Sequence, residues 1–157
     1  MSPAMKGMKR MAQSPGFWRK ASILALAGGL AFWVANFAIS LTPIAAEYRA
    51  ALSISYGPML LQALLGGLVI GFCVSYLLLR FFDYIPTKNP ILKSEALSFI
   101  ALIVVTVLIE VPAKLLSTTS DALRYLLVGT AFNALRILAL GTAVGYLYSR
   151  LDGRGGR

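Results

Sequence analysis

The sequence predicts an all-α integral membrane protein, a four-helix bundle with both termini cytoplasmic. Three observations carry this. Of 157 residues, 58% are hydrophobic and only 13% charged, against about 25% charged in a soluble domain. Mean hydropathy is +0.75. The apolar residues gather into four stretches on the scale of a hydrocarbon core about 30 Å thick, and the positive charges lie mostly just outside them. A net charge of +9 would suggest nucleic acid in a soluble chain. Flanking apolar stretches, it points instead to anionic lipid headgroups and to control of topology, with no nucleic-acid partner.

Residues 1–20 form a basic cytoplasmic segment carrying Lys6, Lys9, Arg10, Arg19 and Lys20 without a single acid. Met1, Met5, Met8 and Met11 fall at helical spacing, which suits a helix lying on the membrane surface. Gly7, Ser14, Pro15 and Gly16 break that pattern and favour a frayed tail. Phe17 and Trp18, beside Arg19 and Lys20, read as an interfacial anchor.

The transmembrane domain then covers residues 21–149, with spans near 21–41, 58–81, 91–113 and 122–148. Ala21 to Leu41 is uncharged throughout. Its apolar core exceeds the roughly 7–15 residues of a secretory signal, and Ile44 and Ala46 make a poor cleavage pair, so it reads as a span. Gly28 and Gly29 offer a close-approach surface, and Asn36 is expected in a helix–helix hydrogen bond. Pro43 closes this helix, and Ile44 to Ile54 suits a short helix on the outer surface. Pro58 fits the first turn of the second span, where its missing N–H costs nothing. That span is uncharged to Arg80, and Asn89 is placed to cap the third with Pro90 at its first position.

The third span has two placements. Its uncharged part, Ala96 to Ile109, is too short to cross alone. It either starts at Ile91, with Lys93 and Glu95 at the inner headgroups, or runs past Glu110 and Pro112 to Leu116. A compromise of Ile91 to Ala113 puts Glu110 near the outer end beside a proline kink. Leu115 to Ser120 is a short turn, with Thr119 or Ser120 as cap and Asp121 at the positive end of the fourth helix. Residues 150–157 are a polar cytoplasmic tail. With both ends inside, that side also gathers Arg80, Lys88, Lys93, Arg150, Arg154 and Arg157, against Arg49, Lys114 and Arg124 outside. The plain assignment is a prokaryotic inner or cell membrane.

The two even-numbered spans share a pattern. Gln62, Gly67, Gly71 and Ser75 in the second match Arg136, Gly141, Gly145 and Ser149 in the fourth at identical spacings, with Phe72 and Tyr146 after the second glycine. Small residues four apart form a groove for another helix. At about 100° per residue, the polar position lies about 140° from the first glycine, on a separate face. Two related hairpins would make this a parallel repeat. The odd-numbered spans show no matching pattern, and glycine is common in membrane helices, so coincidence stays open.

The chemical inventory is thin. The chain has no histidine and one cysteine, Cys73, which excludes His-ligated haem, most zinc sites and any nucleophile activated by histidine. Neither metalloprotease, membrane-protease nor nucleotide-loop spacings occur. No cofactor, metal or catalytic activity is expected.

Arg136 is the charge that should not be where it is. At mid-bilayer it costs roughly 2.5–3.5 kcal/mol on insertion scales. Its face carries Gly129, Phe132, Asn133, Leu140 and Ala143. Either it contacts an anion in a wet cavity, or it forks onto carbonyls, Asn133 and Glu110 in dry protein. Glu110 is expected to face the level of Ala122 to Val128, with Arg136 about 12–20 Å deeper, so a direct pair is marginal.

The segment Arg124-Tyr-Leu-Leu-Val-Gly-Thr-Ala-Phe-Asn133 resembles the opening helix of GtrA-like proteins, small four-span membrane proteins associated with lipid-linked sugar transfer. In that family the pattern opens the chain, whereas here it lies in the last helix, and the family is not assigned.

Two functions compete on this reading. The first is non-catalytic association, as a self-assembling or accessory membrane subunit. Its partner would be a second copy or another membrane protein, met on the Gly67/Gly71 and Gly141/Gly145 faces. The alternative is a small transporter or channel for an anionic or amphiphilic solute, with Arg136 as contact and Asn133, Gln62 and Glu110 in support. What surrounds Arg136, dry protein or water, separates them.

Overall fold

The computed structural model describes residues 15–115 and 121–153. The methionine-spaced segment, the caps Thr119 and Ser120, and the tail arginines Arg154 and Arg157 lie outside the described residues. Among those described there is no strand. The elements are α1 (Pro15–Ser40), α2 (Pro43–Ala51), α3 (Tyr56–Phe81), a 3-10 turn (Phe82–Tyr84), α4 (Pro90–Val105), a π-helical turn (Thr106–Glu110), α5 (Val111–Leu115) and α6 (Ala122–Gly153). Four segments, Gly16–Ser40, Tyr56–Tyr84, Pro90–Ala113 and Ala122–Asp152, are long and apolar enough to cross a membrane, an architecture compatible with a multi-pass membrane protein.

Helix limits differ from the sequence expectation chiefly at the two ends. The first helix begins within the basic segment, and the last runs past Tyr148. Their ends meet in an ion pair between Lys20 Nζ and Asp152 Oδ1 at 3.2 Å. We call this the terminal face of the bundle and the opposite one the α2 face.

Helix ends follow local chemistry. Thr42 Oγ1 accepts from Ala45 N at 3.3 Å to cap α2. Asn89 Oδ1 accepts from Ile91 N at 2.9 Å, with Pro90 at the start of α4. At its far end α2 closes with Ser53 N bonded to Ala50 O and Ile54 N to Arg49 O. Ser53 adopts φ 52° to make that turn, a position usually given to glycine.

α1 sits between α3 and α6, and α4 leans on α6 and only lightly on α3. Leu24, Phe32, Val74, Leu78, Ile137, Leu140, Val144 and Tyr148 form the common core. The glycines set how close the helices come. A β-carbon on Gly71 would lie 2.8 Å from Ala25 O, one on Gly67 would lie 3.1 Å from Gly29 O, and one on Gly145 would lie 2.5 Å from Ile91 Cα. Gly29 faces the Leu68 backbone, and Gly28 faces Val144 and Leu140. Each even-numbered span therefore lays its glycine face on the odd-numbered span of its own hairpin, α3 on α1 and α6 on α4. Ser75, fully buried, continues the α3 face, whereas Ser149 is exposed and bonds the Tyr146 carbonyl.

α4 is built inside out. Lys93, Ser94 and Ser98 are buried, while Leu92, Phe99, Ile100, Ile103 and Val104 are exposed. A helix so arranged is stable only where its outer solvent is apolar. Lys93 donates to the Phe82 carbonyl and lies 3.7 Å from the Phe82 ring centroid. Near its end the helix widens: Val111 N bonds Thr106 O, a five-residue step. Pro112 offers no N–H to the carbonyl four residues back and crowds it, which favours this local π turn. The extra residue turns Glu110 toward α6 and leaves Leu108 and Ile109 facing out, 68% and 59% exposed.

Candidate functional site

Below α2, between α1, α3, the π turn and α6, lies a cavity of about 310 Å³. The widened turn delivers Glu110 to it, and α6 delivers Gly129, Phe132, Asn133 and Arg136. Asn133 holds the two charges together. Its Nδ2 donates to Glu110 Oε1 at 2.9 Å, and its Oδ1 accepts from Arg136 Nη1 at 3.0 Å. Glu110 lies deeper than expected, level with Gly129 and Asn133, and Asn133 spans the remaining gap to Arg136. Gln62, an exposed side chain of α3, joins the same lining. The four residues singled out for solute contact thus lie around one cavity. The matching polar positions of the two hairpins, Gln62 and Arg136, both face it.

Two polar groups in the wall lack partners among the described residues. Arg136 Nε is buried without a hydrogen bond, and so are both amide atoms of Asn36, which is 1% exposed. The helix–helix hydrogen bond expected of Asn36 is not made. Buried polar groups left unpaired cost on the order of 1–3 kcal/mol each. A cavity beside them offers water or a solute the place to complete the bonds.

Tyr48 and Arg49 are the residues sequence reasoning missed. The sequence suits a short helix on the outer surface here, and in the structure α2 also covers the cavity. Glu47 pairs with Arg124 at 2.8 Å, and Arg49 Nη1 donates to Ser40 O at 3.0 Å. Between them Tyr48 reaches down, its ring edge-on to Tyr125 and Phe132. Burial, and next the Glu110 carboxylate, push its phenol above the ordinary value, so it remains an O–H donor at physiological pH. A signal was present in Glu-Tyr-Arg at helical positions in a nine-residue helix. Without the tertiary placement of α2, nothing tied it to Glu110.

Gly129 makes room for this meeting. A β-carbon there would lie 2.8 Å from Tyr48 Oη and 2.9 Å from Glu110 Oε2. Both are far ends of flexible side chains, so Gly129→Ala is expected to keep the fold, within about 1 kcal/mol. It should instead displace Tyr48 and Glu110, seen as altered tyrosine fluorescence in the folded protein. An unchanged spectrum in folded G129A would show that the two groups do not converge there.

No family model, no curated protein and no solved structure matches this chain.

Proposed function

We propose that this protein binds a small anionic or amphiphilic solute in the cavity under α2 and passes it through the membrane. One observation carries the reading. Two strongly hydrogen-bonding groups, the Nε of Arg136 and the amide of Asn36, stand unsatisfied at a cavity of about 310 Å³, the lower end of the range for small-molecule sites. The charges on its lining are Arg49, Arg136 and Glu110, two positive against one negative, which favours a carboxylate or phosphate group. Phe32, Met59 and Phe132 give it an apolar wall, suited to the rest of an amphiphile. The fixed guanidinium plane suits bidentate recognition of such an anion.

The association reading has less support. The Gly67/Gly71 and Gly141/Gly145 faces it relied on are occupied by α1 and α4 of the same chain, so partners would need another surface. The distribution of Lys and Arg supports an orientation with the terminal face cytoplasmic and the α2 face outside, in what we take to be a prokaryotic inner or cell membrane.

Thiol labelling tests both parts. In a Cys73→Ser background, Asn36→Cys is expected to react with a membrane-impermeant maleimide added to intact cells, and a competing amphiphilic anion should slow the reaction. Ser53→Cys, in the exposed turn after α2, reports orientation by itself. Reaction at Ser53→Cys but none at Asn36→Cys would mean a dry cavity and would end the solute reading. Reaction at neither from outside, with Ser53→Cys labelled in inverted vesicles, would reverse the topology.

A further inference from the structure

A second polar site lies at the other end of the α4–α6 seam, about 22 Å along α4 from Glu110. Glu95 stands about 8 Å in from the start of α4, and its carboxylate lies against α6. Thr142 Oγ1 donates to Glu95 Oε1 at 2.7 Å. A β-carbon on Gly141 would lie 2.8 Å from Glu95 Oε2 and 2.6 Å from Ser98 Oγ, so the missing side chain admits both oxygens to one small space. Glu95 Oε2 and Ser98 Oγ are buried and without hydrogen bonds, and so is Ser94 Oγ one turn away. Ser94 and Ser98 are each 0% exposed.

Among the described residues no cation answers this carboxylate. Lys93, on the same helix, is turned about 200° away and engaged by Phe82. On α6, Arg136 is bonded to Asn133 and Arg150 to the Tyr146 hydroxyl. A buried carboxylate oxygen without a countercharge or a hydrogen bond favours a bound cation or proton that neutralises it. Three oxygen acceptors and a single negative charge, with no group of three His, Cys, Asp or Glu among the described residues, suit a hard monovalent cation over a divalent or transition metal.

We propose that Glu95, Ser98 and Thr142, with Ser94, form a binding site for a small monovalent cation, sodium or a proton. Gly141 is the residue that lets α4 and α6 close around it. The site is separate from the cavity under α2 and stands whether or not that cavity takes a solute.

Thermal unfolding of the full chain in detergent tests this. At pH 8, sodium chloride replacing choline chloride is expected to raise Tm saturably, by about 5 °C or more, and to do nothing in Glu95→Gln. If the ion is a proton, sodium has no effect. Tm of the native chain in choline chloride then rises as the pH falls, because the folded site takes up a proton, while Glu95→Gln lacks that rise. Ser98→Ala, a small deletion, is expected to move the sodium or pH midpoint several-fold, and it serves alone if Glu95→Gln does not fold. Identical sodium and pH responses in native protein and in folded Glu95→Gln, or in Ser98→Ala where only that variant folds, overturn the proposal. Glu110→Gln should leave the sodium response intact, which separates this site from the cavity.

Discussion

Asn133→Leu is expected to lower the unfolding free energy by about 3 kcal/mol, from the loss of two hydrogen bonds to charged groups worth roughly 1.5–3 kcal/mol each. Leucine keeps the volume and removes both functions of the amide. Glu110 loses the donor at 2.9 Å and Arg136 the acceptor at 3.0 Å. The two bonds are not equal. The contact with Arg136 is made within α6, while the one with Glu110 joins two elements, and bonds between membrane helices average nearer 0.6 kcal/mol. The larger figure applies because each partner here carries a charge. Reversible unfolding in mixed micelles, followed by circular dichroism, measures it. The test of coupling is the pair Glu110→Gln with Arg136→Met. Removing either charge leaves the other buried, so the double variant is expected to cost less than the sum of the singles. Strict additivity, or an Asn133→Leu variant within about 0.5 kcal/mol of the native protein, would mean that the three groups do not act as one network.

How much of this was legible beforehand follows from which physical rule set each feature. The number of spans came from apolar length alone, and the cap at Asn89 from a residue whose side chain satisfies a free N–H group. Arg136 announced itself because its cost in lipid demands a compensating environment. Glu110 was harder, since its facing depends on one extra residue in the π turn. Pro112 hinted at a disturbance, but a kink and a widened turn begin from the same proline. Apolar length leaves the depth of Glu95 open, and hydropathy, which counts charges along a line, does not say which side of the helix it occupies. The placement of Tyr48 depended on how α2 folds back over the bundle, which no local pattern encodes. Gly67 and Gly141 were legible as close-approach positions, but a sequence does not say whether the approaching helix belongs to the same chain.

That last distinction gives the other large effect. Gly145→Ala is expected to cost about 3 kcal/mol, at the top of the range for overpacking, or to leave no monodisperse folded protein. Its β-carbon would sit 2.5 Å from Ile91 Cα and 3.0 Å from Pro90 O. Both are backbone atoms, with no rotamer to escape into, so α4 must move bodily. Because α4 has α6 as its principal neighbour, that shift opens the seam carrying both Glu95 and Glu110. Gly71→Ala meets Ala25 O and the Gly29 N in the same way and should loosen α1 from α3. Gly66→Ala is the control, for nothing lies within 4 Å of its β-carbon. There the helix propensity of alanine adds up to about 1 kcal/mol of stability, while the new methyl group intrudes on the cavity that Gly66 lines. One chemical change at three glycines thus carries opposite signs, which bilayer hydrophobicity alone does not predict. A Gly145→Ala variant as stable as Gly66→Ala would mean that α4 and α6 are not in backbone contact. Both candidate sites along that seam would then lose the wall against which they are built.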